Sequence, residues 1–236
     1  MENLLQLIKS RQSSRGFYDP NRPISKADLY QILEAASWAP TAHNMQNFEV
    51  VVVEDKELLE KIGAISYPVS ETFLQENYAQ LSFSEEELLR KKTGLLHTRF
   101  PAAMTKPDAK PEDITNDYQG KAIQSSAALL VVLYNPTHPA PASEGDFLGI
   151  ISLGCALENM WLMAHSLGIG LQLVSALSDG PMGEDMKAIL NIPKHLRIAY
   201  SCRLGYPLPE TSDYLRVRRE VDDFLYVNQY QSPQST

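Results

Sequence analysis

Ser37-Trp38-Ala39-Pro40-Thr41-Ala42-His43-Asn44-Met45-Gln46-Asn47-Phe48-Glu49-Val50-Val51-Val52-Val53 changes character halfway along. Val50 to Val53 form an unbroken β-branched run. Such a run reads as a strand buried on both faces, as in the sheet of an α/β protein. The residues before it, Ala39 to Asn47, follow neither a helical nor a strand period. Pro40 ends the preceding helix, because the residue before a proline is pushed out of the α region. Helix, polar elbow and strand thus succeed one another, and loops held between rigid elements commonly carry binding groups. Thr41, Asn44, Gln46 and Asn47 offer neutral donors and acceptors and no charge. Side-chain amides carry both a donor and an acceptor, which suits a flat heterocycle with both on its edge. The same residues also suit a plain polar turn whose amides satisfy backbone groups.

Upstream, Leu29, Ile32, Leu33 and Ala36 repeat at helical spacing, with Ser25 as N-cap, Asp28 three residues on and Trp38 at the close. Before that, Leu4, Leu5, Leu7 and Ile8 give a short helical apolar face. It runs into Arg11-Gln12-Ser13-Ser14-Arg15-Gly16-Phe17. Two guanidinium forks and two hydroxyls beside a glycine suit a phosphate; a solvated basic turn answering nearby carboxylates is the plainer reading.

Downstream, Asp55-Lys56-Glu57 opens a helix with Leu58, Leu59 and Ile62 inside, ending near Gly63. From Tyr67 to Gly120 the pattern loosens. Glu85 to Lys92 reads as a charged helix, Pro101, Pro107 and Pro111 interrupt, and Tyr67, Phe73, Tyr78, Phe83, Phe100 and Tyr118 read as exposed. This excursion, about 68–120, suits a lid or a peripheral helical pair. Ala127 to Tyr134 is a second buried strand. A long helix from about Gly145 to Leu167 is apolar nearly all round, which requires complete burial. Glu158 and Asn159 at its middle and its acidic flanks argue against a membrane span, and burial between two subunits accounts for it better. His165 reads as a packed or hydrogen-bonded histidine. Gly168-Ile169-Gly170 ends that helix, in the reverse order to a dinucleotide fingerprint. Leu171 to Leu177 and Ile198 to Leu204 are strand candidates, with a short helix over Asp185 to Leu190. Arg216-Val217-Arg218-Arg219 is a second basic cluster, Val221 to Val227 a last strand or arm, and 229–236 a loose tail.

The 236 residues carry 21 Lys and Arg against 29 Asp and Glu, a net charge of -8. That balance argues against nucleic-acid backbone binding and against a polybasic membrane patch. Cys155 and Cys202 are far apart and form no CxxC pair, so neither a disulfide framework nor a zinc site is expected. With no basic n-region after Met1, a reducing, cytoplasmic setting is expected.

Two basic clusters flanking an amide-rich elbow would together satisfy a ligand with a phosphate at one end and a donor–acceptor heterocycle at the other, and flavin mononucleotide (FMN) fits. At this point the chain resembles the flavin-dependent nitroreductase family nearly end to end. Arg11 to Phe17 resembles the family's N-terminal phosphate loop. Ala39 to Phe48 resembles its proline, hydroxyl, asparagine, glutamine, aromatic elbow. Leu157-Glu158-Asn159-Met160 through Gly170 resembles its central helix and turn, and Leu204-Gly205-Tyr206-Pro207 with Arg216-Val217-Arg218 its C-terminal end. The resemblance implies an α+β fold, a mixed central sheet wrapped by helices, with the long buried helix at a homodimer interface that shares two FMN molecules. It implies that Arg11, Ser13, Arg15 and Arg218 hold the phosphate and ribityl chain, with Arg216 beside them and Gln12 on the ring's polar edge. Pro40, Thr41, Ala42 and Asn44 would come from the other subunit to the isoalloxazine, and Gln46 would be a further cofactor-binding residue. Leu173, Val174, Ser175 and Ala176 would pass its N5 edge with a backbone amide. Val174-Ser175-Ala176 stands where the family more usually has a glycine-containing turn. Asn47, where proline is common, and Met45 also depart from the family pattern.

The implied activity is NAD(P)H-dependent, ping-pong reduction of nitroaromatics, quinones or similar small electron-poor acceptors, with no acid–base residue assigned because a bound flavin does the redox chemistry. Alternatives on the same fold are reductive dehalogenation, ene reduction, or flavin binding without turnover. The deiodinase-type lid uses a spaced Glu, Tyr and Lys, whereas Glu85-Glu86-Glu87 and Lys91-Lys92 have no tyrosine between them.

Overall fold

The protein is described from a computed structural model over residues 3–67, 69–79, 81–96, 110–111, 117–178, 180–209 and 215–230. In chain order the elements are α1 Leu4–Ser10, α2 Lys26–Ser37, β1 Glu49–Val53, α3 Lys56–Gly63, α4 Glu71–Phe73, β2 Ser82–Phe83, α5 Glu85–Lys91, β3 Leu95–Leu96, α6 Asp117–Gln124, β4 Ala128–Tyr134, α7 Phe147–Ser166, β5 Gly170–Val174, α8 Gly180–Leu190 and β6 Arg197–Gly205. The chain divides into two compact units, residues 1–67 with 116–212 and residues 68–115 with 213–236.

In the first unit a four-stranded sheet runs β1-β4-β6-β5. Each of its three pairings is antiparallel. The mixed character expected of the sheet is therefore not displayed by these strands; the parallel pairing, β2 with β3, belongs to the second unit. Helices cover both faces. Ala128, Leu130 and Val132 of β4 join Tyr200, Cys202 and Leu204 of β6 in a core with Ile32 of α2 and Ala156 and Met160 of α7. The alternate residues Leu129, Val131 and Leu133 face Leu59 and Ile62 of α3, Ile123 of α6 and Met186 of α8. Successive strand side chains point to opposite faces, so a strand covered twice must be apolar throughout. That is why Ala128–Leu133 is wholly buried.

The β-branched run that opens the reading behaves differently. β1 lies at the edge of the sheet, Glu49 is exposed, Val50 to Val52 are half-buried and Val53 alone is buried. A continuous valine run does not distinguish a central strand from an edge strand packed from both sides. Val221 to Val227 is likewise no strand: Val221–Asp223 is a single 3-10 turn and the residues after it are exposed. The helix placed at Asp185 starts earlier, at Gly180, and the strand expected to reach Leu177 stops at Val174.

Helix α7 carries the largest departure. Leu153, Ala156, Met160 and Ala164 are its buried residues, while Phe147 is 64% exposed and Ile150 61%. The complete burial that its composition demands is not supplied by its own chain. It is also, among the described residues, the one helix long and apolar enough to cross a membrane. Its mid-helix polar residues are used within the protein: Asn159 Nδ2 donates to the Ala35 carbonyl at 3.0 Å, and Glu158 pairs with Arg11 at 3.4 Å. His165 Nε2 hydrogen-bonds Ser10 Oγ at 2.8 Å, and Gly168 turns the chain out of the helix with φ +70°.

In the second unit, Ser84 and Glu87 cap α5 reciprocally. Lys92 leaves that helix and reaches Glu220 at 3.3 Å and Asp223 at 3.9 Å. Phe100, Pro101 and Pro107 and the tail beyond Tyr230 lie outside the described residues, as do large parts of the excursion read over about 68–120.

Two local features generate expectations. Helices α3 and α6 meet at Gly63 and Gly120, where a Cβ on Gly120 would fall on the Gly63 carbonyl oxygen. Gly120→Ala is therefore predicted to lower stability by about 1–3 kcal/mol; an unchanged urea midpoint would show that the helices part freely. The elbow between α2 and β1 holds His43, Asn44 and Gln46 at φ 53°, 54° and 48°. Asn tolerates this left-handed region and β-branched residues do not. Asn44→Val is predicted to cost about 1–2 kcal/mol in thermal or chemical unfolding, a loss that Asn44→Gly does not share.

Candidate functional site

The loop Arg11–Phe17 leaves α1 and docks against three partners. From α7, Trp161 Nε1 donates to the Gln12 carbonyl at 3.2 Å, and the Arg11 guanidinium lies 4.5 Å from the centroid of the Trp161 ring. From β5, the Leu171 carbonyl accepts from Ser14 N at 3.0 Å. From β6, Arg203 reaches up beneath the loop. Its Nη2 donates to the Ser14 carbonyl at 3.3 Å and to the Gly16 carbonyl, its Nη1 to the Ala122 carbonyl of α6 at 2.8 Å, and its Nε to Gln172 Oε1 at 2.6 Å. Tyr18 closes the loop. Its ring lies 4.3 Å from the Arg203 guanidinium, its hydroxyl donates to the Ser14 carbonyl at 3.0 Å, and it bridges to Pro207. Two glycines permit this approach: a Cβ on Gly205 would meet the Tyr18 side chain at 2.6 Å, and one on Gly170 the Ser14 hydroxyl at 2.7 Å.

Burial raises the Tyr18 hydroxyl above its ordinary range, opposed by the Arg203 charge, and burial pulls Arg203 down from its own. A guanidinium nonetheless stays cationic in proteins. Cys202 beside it is pushed up to about 12 by burial, so it is a packed thiol and not a nucleophile.

The elbow residues sit elsewhere on the same helix. Ser152 of α7 accepts from Ala42 N at 3.0 Å, Thr41 Oγ1 accepts from Gln46 N at 3.2 Å, and Gln46 Nε2 donates to Asn44 Oδ1 at 3.2 Å. Pro40, Asn44 and Gln46 are exposed, and Thr41 and Ala42 half-buried. Asn47 is fully engaged: its Nδ2 donates to the carbonyls of Asn135 and His138, and its Oδ1 accepts from Asn135 N at 3.1 Å. That accounts for an asparagine at the position where proline is common. A recess of about 20 Å³ under the elbow, lined by Thr41, Asn47, His138 and Asp146, has room for about one water molecule and not for a heterocycle. The elbow can therefore meet a ring with its outer surface alone.

Along α7, Ser152 and Trp161 are nine residues apart, about 13 Å of helix. One chain thus holds its elbow and its basic loop at two separate stations. Leu173, Ser175 and Ala176 are exposed and Val174 buried at the end of β5, the strand whose Leu171 holds Ser14. The structure therefore brings 173–176 and 11–17 to one region of the first unit. Arg216 and Arg218 are exposed residues of the second unit; Arg218 Nη1 donates to the Val217 carbonyl at 2.7 Å.

Sequence reasoning passes over Arg203, Tyr18 and Trp161. For Arg203 a signal exists: an arginine inside the apolar run Ile198 to Leu204 is out of place unless it is paired. Tyr18 and Trp161 look like ordinary core aromatics in sequence, and only the fold shows what they hold.

The nitroreductase family model matches residues 8–206. A protein of Archaeoglobus fulgidus, provisionally assigned as an NADH dehydrogenase/NAD(P)H nitroreductase, is 27% identical over 94% of this chain and 93% of its own length. Among solved structures, a nitroreductase with bound FMN from Bacteroides fragilis superposes with a TM-score of 0.58 at 21% identity, covering 97% of this chain and 100% of the other. An iodotyrosine deiodinase bound to FMN and 3-iodo-L-tyrosine superposes with a TM-score of 0.61 at 22% identity, again over 97% and 100%. With the family model spanning both the basic loop and the elbow, the chain belongs to the nitroreductase family.

Proposed function

We propose that the protein is an FMN-dependent oxidoreductase that takes reducing equivalents from NAD(P)H and passes them to a small electron-poor acceptor such as a quinone or nitroaromatic. The observation that carries this reading is the Arg11–Phe17 loop, in which Arg11, Ser13 and Arg15 stand on a backbone whose Ser14 and Gly16 carbonyls are drawn inward by Arg203. With those acceptors turned away, the loop carries guanidinium and hydroxyl donors whose chemistry fits a phosphate, Arg11 being at the same time held by Glu158 and Trp161. The family resemblance alone adds Arg216 and Arg218 as further cations for that phosphate. Bound there, FMN would supply hydride chemistry, while the protein's part is to hold the phosphate, present the 173–176 backbone to the ring edge and exclude water.

The same reading requires two copies of the chain. Phe147, Ile150 and Ile151 of α7, Leu4 and Leu5 of α1, and Trp38 after α2 are all exposed, and apolar faces of this kind mark association surfaces. A second copy covering α7 would supply the burial that helix lacks and lay its elbow, Pro40 to Gln46, across the first copy's loop. The two stations on one helix would then become two shared sites. The thiols of Cys155 and Cys202 are free, which suits the reducing cytoplasm.

Within this fold the reductase reading is favoured over dehalogenation by the second unit. Lys92 is committed to Glu220 and Asp223, and Lys91 lies 3.8 Å from the centroid of the Phe83 ring. These lysines serve the unit's own packing.

Flavin released from the purified protein should be FMN by mass, at about one per chain in a dimer. Double-reciprocal plots of NAD(P)H oxidation against acceptor should be parallel, as a ping-pong cycle demands; intersecting lines would remove the shared-pocket mechanism, and no flavin even after incubation with excess FMN would remove the cofactor assignment. Arg218→Ala should weaken FMN retention by tenfold or more, in line with about 1.5–3 kcal/mol for a hydrogen bond to a charged group; unchanged affinity would free Arg218 from the phosphate.

A further inference from the structure

Arg203 is 1% exposed. Its acceptors are the carbonyls of Ala122, Ser14 and Gly16 and the amide oxygen of Gln172, all neutral. Among the described residues no ion pair includes it. A buried cation without a counter-charge is costly and persists where hydrogen bonds and a nearby opposite charge offset the cost. The hydrogen bonds are present, and they are aimed at one place: Nη2 takes two carbonyls of the basic loop, two residues apart. No peptide bond in the described chain is cis. In a trans peptide the carbonyl and the following N–H point in opposite directions. Drawing the Ser14 and Gly16 carbonyls inward therefore turns the amides of Arg15 and Phe17 away from Arg203.

We propose that Arg203 is the positioning residue of the flavin-phosphate site: it fixes the loop with its amides outward, and its uncompensated charge beneath the loop makes the site select a phosphorylated flavin over riboflavin. The inference rests on the flavin reading above. It assigns Arg203 no contact with the phosphate; its charge acts across the loop, where low dielectric strengthens the attraction. Gln172 has a part in this, because it satisfies Nε without neutralising the guanidinium. A glutamate at that position would have held Arg203 equally well and cancelled its charge.

That contrast supplies the test. Flavin-stripped wild-type protein and Gln172→Glu are titrated with FMN and with riboflavin by flavin fluorescence, and each apoprotein is melted with and without inorganic phosphate. The introduced carboxylate keeps the clamp and pairs the charge. FMN affinity should fall about tenfold, as expected for cancelling one charge in a partly buried site, with riboflavin affinity unchanged within about twofold on the same principle. The protection that phosphate gives the wild-type apoprotein should disappear. Arg203→Lys should retain part of that protection and Arg203→Met none. If Arg203→Met does not fold, the Gln172→Glu result decides. An unchanged FMN-to-riboflavin ratio in Gln172→Glu, or equal weakening of both flavins, would reduce Arg203 to a structural staple and overturn the proposal. Should the wild type bind neither flavin, the cofactor reading fails, and the phosphate-dependent melts still judge Arg203: protection lost in Gln172→Glu sustains the anion site, and protection retained overturns it.

Discussion

The structure depends on the antiparallel pair β4 and β6 being closed off from water on both faces. Strands so placed have no solvent-facing row, and almost every side chain on them is apolar. The helical layers follow from that demand, α2 and α7 on one side and α3, α6 and α8 on the other. In such a setting a charged residue stands out, and Arg203 is the charge that β6 carries inside. Its hydrogen bonds tie four separate segments, β6, β5, α6 and the loop after α1, at one point. The candidate site is thus anchored to the buried sheet, although its donors lie on a loop.

Helix α7 joins the other half of the site to the same frame. It grips the basic loop through Trp161 and Glu158 and the elbow through Ser152. Its hydrophobicity exceeds what one chain can bury. The helix is a spacer between the two stations and, through its outward face, the surface on which a second copy is proposed to complete them.

Much of this was legible in the sequence where one rule dominates. The N-cap at Ser25 with buried Leu29, Ile32 and Ala36, the helix opening at Asp55-Lys56-Glu57, the buried run of β4 and the glycine exit at Gly168 are all present as read. Reading failed where local pattern is silent about neighbours. Four valines cannot say whether a strand has one partner or two, and β1 has one. The apolar stretch at 221–227 has β-branched residues at both ends, yet it forms a 3-10 turn and exposed chain and pairs with neither strand of the β2–β3 sheet in its own unit. For the site, residues with donor chemistry can be proposed by type, whereas the residues that hold the loop cannot, because a buried tyrosine and a half-buried tryptophan carry no mark of the carbonyl they serve. Arg203 was the exception that composition could have exposed.

The glycine contact between α3 and α6 has a bearing on how the chain is laid out. These helices end and begin the first unit's two segments, and Gly63 touches Gly120. The chain therefore leaves this unit and returns to it through one gate held shut by backbone packing. The entropy of closing a loop across a fixed gate rises only logarithmically with its length, by about 0.6 kcal/mol for each doubling. The stretch from 68 to 115 is accordingly a place where sequence can be lengthened, shortened or exchanged with little effect on the sheet.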